Sequence, residues 1–208
     1  MQKTDLKKTF RSLFAPPRDR FVEVDVPMIT FVKVDGAGDP NKVPDYRMAV
    51  ETLYGVSYAM KFASKSLLEK DYVVPPLQGL WWADDPAAFV ARQKDAWRWT
   101  MMIMVPDFVT ADIFDAARAR TSEKRGGLPE SLRLEAHAEG LALQTLHIGS
   151  YEDEAPTLAR LHDEVMPERG VTFAGPHHEI YLSDPRRTAQ DKLKTILRQP
   201  VRPLNPST

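Results

Sequence analysis

The chain has 208 residues, of which 43% are hydrophobic and 27% charged, with a net charge of −1 and no cysteine. The balanced charge provides none of the basic surface that nucleic-acid binding needs. No apolar run reaches the ~18 residues of a membrane span, and the lack of cysteine excludes disulfides, thiol catalysis and thiolate metal sites. Because the first residues lack the apolar segment of a secretion signal, we expect a cytoplasmic protein. The length suits one domain or two fused modules of about 100 residues each.

The first half of the chain predicts one strand, one long helix and two further strands. Asp35-Gly36-Ala37-Gly38 predicts the turn that ends the first strand. Apolar residues then recur at helical spacing and predict a buried stripe formed by Ala49, Leu53, Val56, Met60, Ala63 and Leu67. In chain order, the predicted elements are an extended lead-in over residues 1–20, a strand over 28–34, a helix over 44–68, and strands over 72–82 and 97–105.

The second half repeats this order of elements after a connecting helix. Thr110 is a typical N-cap for that helix, and Lys124-Arg125-Gly126 is a typical end. Pro156 marks the start of the next helix, with Leu158, Leu161, His162 and Val165 on one stripe. In chain order, the predicted elements are a helix over residues 110–124, strands over 132–137 and 141–148, a helix from 156, and strands over 177–182 and 192–199.

The repeated order predicts an internal duplication. Pro76 stands five residues before Trp81, and Pro176 stands five before Tyr181, so Trp81 corresponds to Tyr181 and Gly79 to Glu179. We therefore predict an α+β fold of two strand-helix-strand-strand modules, which form antiparallel sheets with helices packed on one side. Two such modules predict a central ligand groove.

The segment His177-His178-Glu179-Ile180-Tyr181-Leu182 is the most informative part of the sequence. Alternation along a strand puts Glu179 and Tyr181 on one face, and Ile180 and Leu182 on the other, where they can join a core. The face with the acid and the phenol either meets water, with Glu179 paired to an arginine such as Arg186, or lines a pocket. The residues by themselves leave both interpretations open.

The chain resembles the GyrI-like small-molecule-binding proteins, in the stand-alone branch without a DNA-binding segment. The resemblance rests on an ordered set of segments through most of the chain: Asp35-Gly36-Ala37-Gly38-Asp39-Pro40-Asn41, Leu53-Tyr54-Gly55-Val56-Ser57-Tyr58-Ala59-Met60-Lys61, Pro76-Leu77-Gln78-Gly79-Leu80-Trp81-Trp82, Gln144-Thr145-Leu146-His147-Ile148-Gly149, His178-Glu179-Ile180-Tyr181-Leu182-Ser183-Asp184 and Lys192-Leu193-Lys194-Thr195. One departure is Gln78, where the family leads us to expect glutamate; its side chain alternates away from Trp81, so we expect it to affect surface or packing.

The resemblance implies a single GyrI-like domain over residues 1–208, with a first module at 21–108, a connecting helix at 109–131 and a second module at 132–208. It also implies a central pocket for planar, apolar or cationic compounds. The resemblance extends to a group of stand-alone members, the cyclopropanoid cyclopropyl hydrolase-like proteins. For such members it implies hydrolysis of cyclopropane-bearing, DNA-alkylating natural products.

We expect Glu179 and Tyr181 to be the catalytic residues, the first as a general base and the second to hold a water or the ligand or to act as a hydrogen-bond donor. Large aromatic faces around one acid suit a flat aromatic or cationic ligand. Aromatic residues at such spacing are also common in protein cores, and a histidine on a strand is often a satisfied core residue. The predicted ligand contacts are Tyr54, Tyr58, Trp81, Trp99, Phe108 and His147.

No cofactor and no metal are expected. His177 and His178 point to opposite faces of a strand, and His147 and His162 have no neighbour at metal-ligand spacing. The expected partner is a flat aromatic or lipophilic cationic small molecule, with no nucleic acid and no membrane, and the sequence leaves the oligomeric state open.

The residues and the resemblance are compatible with three functions from different classes. The first is an enzyme that adds water to a strained cyclopropane, as in detoxification of a xenobiotic. The second is a multidrug-binding module that sequesters lipophilic cations without chemistry, with Glu179 as the counter-charge. The third is a protein-interaction role, which ranks last because the sequence contains no block of like charge.

Overall fold

The structure is a computed structural model that describes residues 3–85 and 93–204. Its strands, in chain order, are β1 (Lys3–Thr4), β2 (Val22–Val26), β3 (Ile29–Ala37), β4 (Asp71–Tyr72), β5 (Leu77–Ala83), β6 (Trp97–Met104), β7 (Arg133–His137), β8 (Gly140–Ile148), β9 (Val171–Phe173), β10 (His177–Tyr181) and β11 (Lys194–Pro203).

The helices of the described residues are α1 (Leu6–Thr9), α2 (Arg11–Phe14), α3 (Pro44–Leu67), α4 (Ala111–Arg125), α5 (Ala155–Arg160) and α6 (Met166–Glu168). A π-helical turn over Leu161–Val165 joins α5 to α6, and short 3-10 turns cover Lys94–Ala96, Tyr151–Glu154 and Gln190–Lys192. Across the described ranges, none of the helices combines the length and the apolar character that crossing a bilayer requires.

The first of two compact units takes the residues up to Phe10 together with Ile29–His137. Its sheet has the order β5-β6-β3-β7, and each neighbouring pair is antiparallel. Helix α3 starts at Pro44, whose fixed φ suits the first helical position, and contacts β3 and β6. Helix α4 packs beside α3; the Thr110 side chain accepts a hydrogen bond at its start, and left-handed Gly126 ends it.

The second unit takes Arg11–Met28 and Ala138–Thr208, as far as these are described. Its sheet has the order β2-β8-β11-β10, all antiparallel, and β9 pairs with the end of β11. The helical segment from α5 to α6 packs on one face of this sheet. The core on this face consists of Phe21, Leu143, Leu161, Val165, Met166 and Val201.

Each unit contains the same connectivity, which confirms the predicted duplicated α+β fold. In the first unit, β3 pairs with β6 and β6 pairs with β5. In the second, β8 pairs with β11 and β11 pairs with β10. In both cases a helical segment separates the first strand from the second along the chain.

The predicted extended lead-in over residues 1–20 is wrong at residues 6–14, and its residues 1–2 lie outside the described residues. The segment forms α1 and α2, and the Asp5 side chain caps α1 by accepting a hydrogen bond from the Lys7 backbone N–H. The apolar residues of these short helices decide the difference, because Leu6 and Leu13 are both buried.

The predicted turn at residues 35–38 begins later, because β3 continues through Gly36 to Ala37. The ring of Trp99 occupies the space above Gly36, where an added Cβ atom would lie 2.1 Å from the Trp99 Cη2 atom. Gly38, with a φ of 91°, makes the turn instead. Leu67, which the periodicity placed on the buried stripe of α3, is 70% exposed because it lies in the last turn.

The compact units and the predicted modules have different bounds. β2 precedes β3 in sequence but pairs with β8, whereas β7 precedes β8 but pairs with β3. α4 belongs to the first unit, where it packs against α3. Strand pairing between segments distant in sequence leaves no local signal, so the sequence offered no basis for these assignments.

Candidate functional site

Three neighbouring strands of the second unit place His147, Thr195 and Tyr181 side by side. Tyr181 of β10 lies opposite Thr195 of β11, which in turn lies opposite His147 of β8. Alternation along β10 puts Glu179 on the same face. Leu143 and Val201 of the packed core share this face by the same alternation, so Glu179 points to the side on which the helical segment packs.

Glu179 and Tyr181 form a hydrogen-bonded pair on this face. The Tyr181 hydroxyl donates to Glu179 Oε2 over 2.8 Å. The Glu179 side chain is 15% exposed, so it is largely removed from water. Because a hydrogen bond to an ionised acceptor is stronger than one between neutral groups, the phenol fixes the orientation of the carboxylate.

Tyr151 adds a second phenol beside this pair. Its ring meets that of Tyr181 edge to face, with centroids 5.8 Å apart. Burial raises the pKa of Tyr151 to about 12, and the negative charges of Glu179 and Glu154 act in the same direction. The Tyr151 hydroxyl therefore keeps its proton at neutral pH and can donate a hydrogen bond.

A local motif positions Tyr151 at the first turn of the helical segment. The Ser150 hydroxyl donates to Asp153 Oδ2 over 2.7 Å, and the Ser150 backbone N–H donates to the same carboxylate. This capping box starts the turn at Tyr151 directly after β8. The phenol is therefore held at a helix start rather than on a free loop.

His177 stands two residues before Glu179 on β10, as Tyr181 stands two residues after it, so alternation puts all three on one face. Its Nε2 atom is 3.7 Å from Glu179 Oε1. Burial, together with the nearby His162 and His178, lowers the pKa of His177 to about 3. The imidazole is therefore uncharged at neutral pH and does not supply a positive charge to Glu179.

The cluster of Glu179, Tyr181, Tyr151 and His177, called the carboxylate cluster below, supports two kinds of chemistry. An oriented carboxylate can accept a proton from a water molecule, or it can serve as the counter-charge for a cation. The two phenol rings offer apolar faces to a flat ligand, and the Tyr151 hydroxyl can donate a hydrogen bond. In the described part of the chain, no group of three or more His, Asp or Glu side chains is placed to hold a metal ion.

His147, a predicted ligand contact, occupies the same sheet face as Tyr181. It is 8% exposed, and its Nε2 atom makes a hydrogen bond with the Ser150 carbonyl over 3.1 Å. The imidazole thus supports the turn that carries Tyr151. Its predicted contact with the ligand stays a prediction.

The first unit holds Trp81 and Trp99 in an aromatic group with two further rings. Trp81 lies opposite Trp99 in the strand register, and the ring of Tyr46 meets both, with centroids 6.0 Å and 5.4 Å away. The Trp97 ring contacts Trp81 edge to face at 5.7 Å. Trp99 is fully buried and Trp81 is 5% exposed, so these two rings are core residues of the first unit as well as predicted ligand contacts.

The remaining predicted ligand contacts also lie in the first unit. Tyr58 is 47% exposed on α3, and Tyr54 is half-buried one turn before it. Phe108 packs edge to face on Tyr72, with centroids 5.9 Å apart, and the Lys70 ammonium lies over its ring. The structure brings Glu179 and Tyr181 together, whereas Tyr58 and Phe108 lie in other parts of the first unit.

Sequence reasoning missed three residues of these groups, Tyr46, Tyr151 and His177. Tyr46 and Tyr151 share a signal: each stands in the first turn of the helical segment that follows the first strand of its module. Applying the duplication to the helix starts would have found both. His177 shows the same alternation as Glu179, but a histidine next to a second histidine gave no indication of which ring faces the acid.

Open surface cavities of about 450 and 440 Å³ lie in the first unit. Charged residues contribute to both, with Asp95 in each and Asp39 and Lys42 in the first. None of the predicted site residues lines either cavity.

Comparison with known proteins identifies relatives over nearly the whole chain. A family model described as a GyrI-like small molecule binding domain matches residues 21–202. An uncharacterized conserved protein from Listeria innocua is 37% identical, with a TM-score of 0.87, and the match covers 96% of this chain and 100% of that one. A protein described as a hydrolase from Listeria innocua is 36% identical, with a TM-score of 0.82 and the same coverage of 96% and 100%.

More distant structures share the fold only. The C-terminal domain of EcmrR is 11% identical, with a TM-score of 0.56, and the match covers 88% of this chain and 98% of that one. No curated protein matches the chain significantly.

Proposed function

The chain belongs to the family of GyrI-like small-molecule-binding domains, and from this premise we propose that it is a hydrolase that adds water to cyclopropane-bearing electrophiles. Such groups occur in DNA-alkylating natural products, so the role is detoxification. Relatives described as hydrolases, at 36% identity over 96% and 97% of this chain, support an enzymatic function. The observation that carries the proposal is the mostly buried Glu179 carboxylate that Tyr181 holds by a 2.8 Å hydrogen bond.

In the proposed reaction, Glu179 takes a proton from a water molecule as the water oxygen attacks a cyclopropane carbon. The ring C–C bond breaks, and its electron pair moves through the conjugated system to the ligand carbonyl oxygen, which becomes a phenolate. The proton held by Glu179 then returns to this oxygen through solvent, so that the net change is addition of one water. Release of ring strain provides much of the driving force, so positioning and base catalysis are sufficient.

The phenols of the carboxylate cluster have separate roles in this proposal. Tyr181 donates to Glu179 and sets the direction of its second oxygen toward the water. Tyr151 retains its proton, because burial and the adjacent negative charges raise its pKa, and donates to the developing oxyanion. Their edge-to-face rings offer flat apolar surface to a planar ligand.

The direct test is the turnover of a cyclopropane-bearing alkylator by wild type and by Glu179→Gln. The amide keeps the size of the side chain but cannot accept the proton, so we expect the rate to fall about 10²- to 10⁴-fold. Glu164→Gln, an exposed carboxylate change in the same unit, is the control and should keep the wild-type rate. Mass spectrometry identifies the product with one water added, and equal rates for wild type and Glu179→Gln would remove Glu179 from the mechanism.

A second candidate function is binding of lipophilic cations without chemistry. The uncharged state of His177 favours it, because the imidazole nearest to Glu179 does not offset the negative charge of the carboxylate. In this case the protein should prefer cations to neutral ligands of the same shape, and it should release the alkylator unchanged. Dye displacement by a matched cationic and neutral pair, combined with the product analysis above, separates binding from hydrolysis.

A further inference from the structure

Helix α3 carries an apolar stripe on the face turned away from its sheet. The buried residues of α3 include Ala49, Leu53, Val56 and Met60, all fully inaccessible. At about 100° per residue, Tyr58 and Phe62 lie on the opposite side. They are 47% and 58% exposed, and their rings stack with centroids 6.4 Å apart. Stacked aromatic rings on the outer face of a helix mark an interaction surface rather than a core.

The residues along this stripe are arranged symmetrically around Tyr58. Four residues before and after it stand Tyr54 and Phe62, and seven residues before and after it stand Glu51 and Lys65. The two residues of each pair thus complement one another, ring with ring and acid with base. Glu51 bonds Arg125 within the chain but remains 51% exposed.

We propose that the outer face of α3 binds the same face of a second copy of the chain, with the two helices antiparallel and the two-fold axis at Tyr58. In this arrangement Tyr58 meets Tyr58, Tyr54 meets Phe62, and Glu51 meets Lys65, each contact occurring twice as a two-fold interface requires. A parallel pair would instead place Glu51 against Glu51 and Lys65 against Lys65. Antiparallel packing also sets the helix dipoles in opposite directions.

The charges of the stripe favour this occupant over an anionic membrane surface. A membrane-binding helix concentrates lysine and arginine on its polar face, whereas acid and base stand at opposite ends of this stripe. Aromatic side chains bury about 150–250 Å² each in a complete interface, and these rings are already partly covered. The contact is therefore small, and the dimer should form reversibly with rising concentration. This inference does not depend on the proposed hydrolysis.

Single cysteines test the register, because the natural chain contains none. Under mild oxidation Tyr58→Cys should form a disulfide-linked dimer with itself. Lys65→Cys should not, because its two copies would lie about 21 Å apart along antiparallel helices. A mixture of Glu51→Cys and Lys65→Cys should form the mixed disulfide-linked dimer. Both of these variants retain the Tyr58 ring at the centre of the interface. Efficient self-linking of Lys65→Cys, or no mixed dimer, would overturn the antiparallel register.

Sedimentation equilibrium over a concentration series tests the association itself. Wild type should move from monomer to dimer, Lys65→Glu should raise the dissociation constant about tenfold, and Glu51→Lys combined with Lys65→Glu should restore it. A wild type that stays monomeric at every concentration would overturn the proposal.

Discussion

The two units build the same three-strand row from different side chains. In the first unit the row is Trp81, Trp99 and Gly36, and the large Trp99 ring fills the space above the glycine. In the second unit the corresponding row is Tyr181, Thr195 and His147, all polar, with Tyr181 half-buried and the other two buried. The first row closes into packed aromatic rings, whereas the second leaves hydroxyls and an imidazole beside Glu179.

On the opposite faces of the two sheets, the row of the second unit is again the more polar one. The first unit has the row Gln78, Met102 and Lys33, and the second has His178, Arg198 and Gln144. Arg198 donates to Gln144 and to the Leu13 carbonyl of α2, and it forms an ion pair with Glu139. In the second unit, charged residues thus lie on both faces of the sheet. Arg198 bonds the N-terminal segment on one face, and Glu179 belongs to the carboxylate cluster on the other.

The comparison shows that a duplicated backbone leaves each copy free to diverge in its side chains. Strand order and register are the same in both copies, so the position of residue 79 or 179 is fixed by the fold. The chemistry depends on what stands there, and only the second copy has an acid at this position.

The buried ion network of the second unit should give the largest effect on stability. Glu139 is 2% exposed and bonds both His178 and Arg198, whereas Asp84 and Arg98 of the first unit form an ion pair whose side chains are 71% and 52% exposed. Removing one partner of a buried pair costs about 3–5 kcal/mol because the other charge stays buried, whereas an exposed ion pair contributes little to stability. We expect Glu139→Gln to lower the free energy of unfolding in urea far more than the control Asp84→Asn, and equal losses would contradict the comparison.

The same network predicts how stability depends on pH. Burial acts to raise the pKa of Glu139, but the charges and hydrogen bonds of His178 and Arg198 outweigh it and bring the pKa to about 2, below the ordinary value of 4.5. The unfolded chain therefore takes up a proton first, so this contribution is complete above about pH 5 and is lost as the pH falls toward 2. Wild type should show this acid loss in urea unfolding, and Glu139→Gln should show less of it.

Gly36→Ala should give the next largest effect and tests the aromatic row. The new methyl group would lie 2.1 Å from the Trp99 ring, so the ring or the strand must move, at a cost of about 1–3 kcal/mol. Gly175→Ala is the control, because its methyl group would meet Pro200 at an ordinary 3.7 Å. If both variants unfold at the same urea concentration, the row is not as tightly packed as its distances indicate.

The sequence was sufficient to predict most of the fold, for physical reasons that particular elements make clear. The 44–68 helix and the alternating 177–182 strand carry strong local periodicity, and the structure has both, at Pro44–Leu67 and His177–Tyr181. The signals at Thr110 and Gly126 placed α4 correctly because caps are local chemistry. Residues 1–20 failed because short helices held by tertiary contacts, such as the Arg198 bond to Leu13, have little local signal.

The sequence predicts the site only at positions that strand alternation or the internal duplication determines. Alternation put Glu179 and Tyr181 on one face, and the structure adds the hydrogen bond between them. His177 shares the alternation of Glu179, and Tyr151 stands at a helix start that the duplication marks, but the burial of the imidazole and the contact of the Tyr151 ring with Tyr181 depend on tertiary packing. The burial of Trp99 depends on Gly36, a residue 63 positions earlier that only the strand register brings opposite.

Tyr181→Phe affects turnover rather than stability and tests whether the phenol acts through the acid. The change removes the 2.8 Å hydrogen bond to Glu179 while keeping the ring. A hydrogen bond to a charged group contributes about 1.5–3 kcal/mol, so we expect turnover of the alkylator to fall about 10- to 100-fold with a smaller change in ligand affinity. Tyr72→Phe is the matched control in the first unit, since it removes a hydroxyl that donates to the Ser57 carbonyl over 3.3 Å. That variant should lose some stability but no turnover, and a comparable loss of turnover in both would show that the effect of Tyr181 comes from packing and not from orientation of the carboxylate.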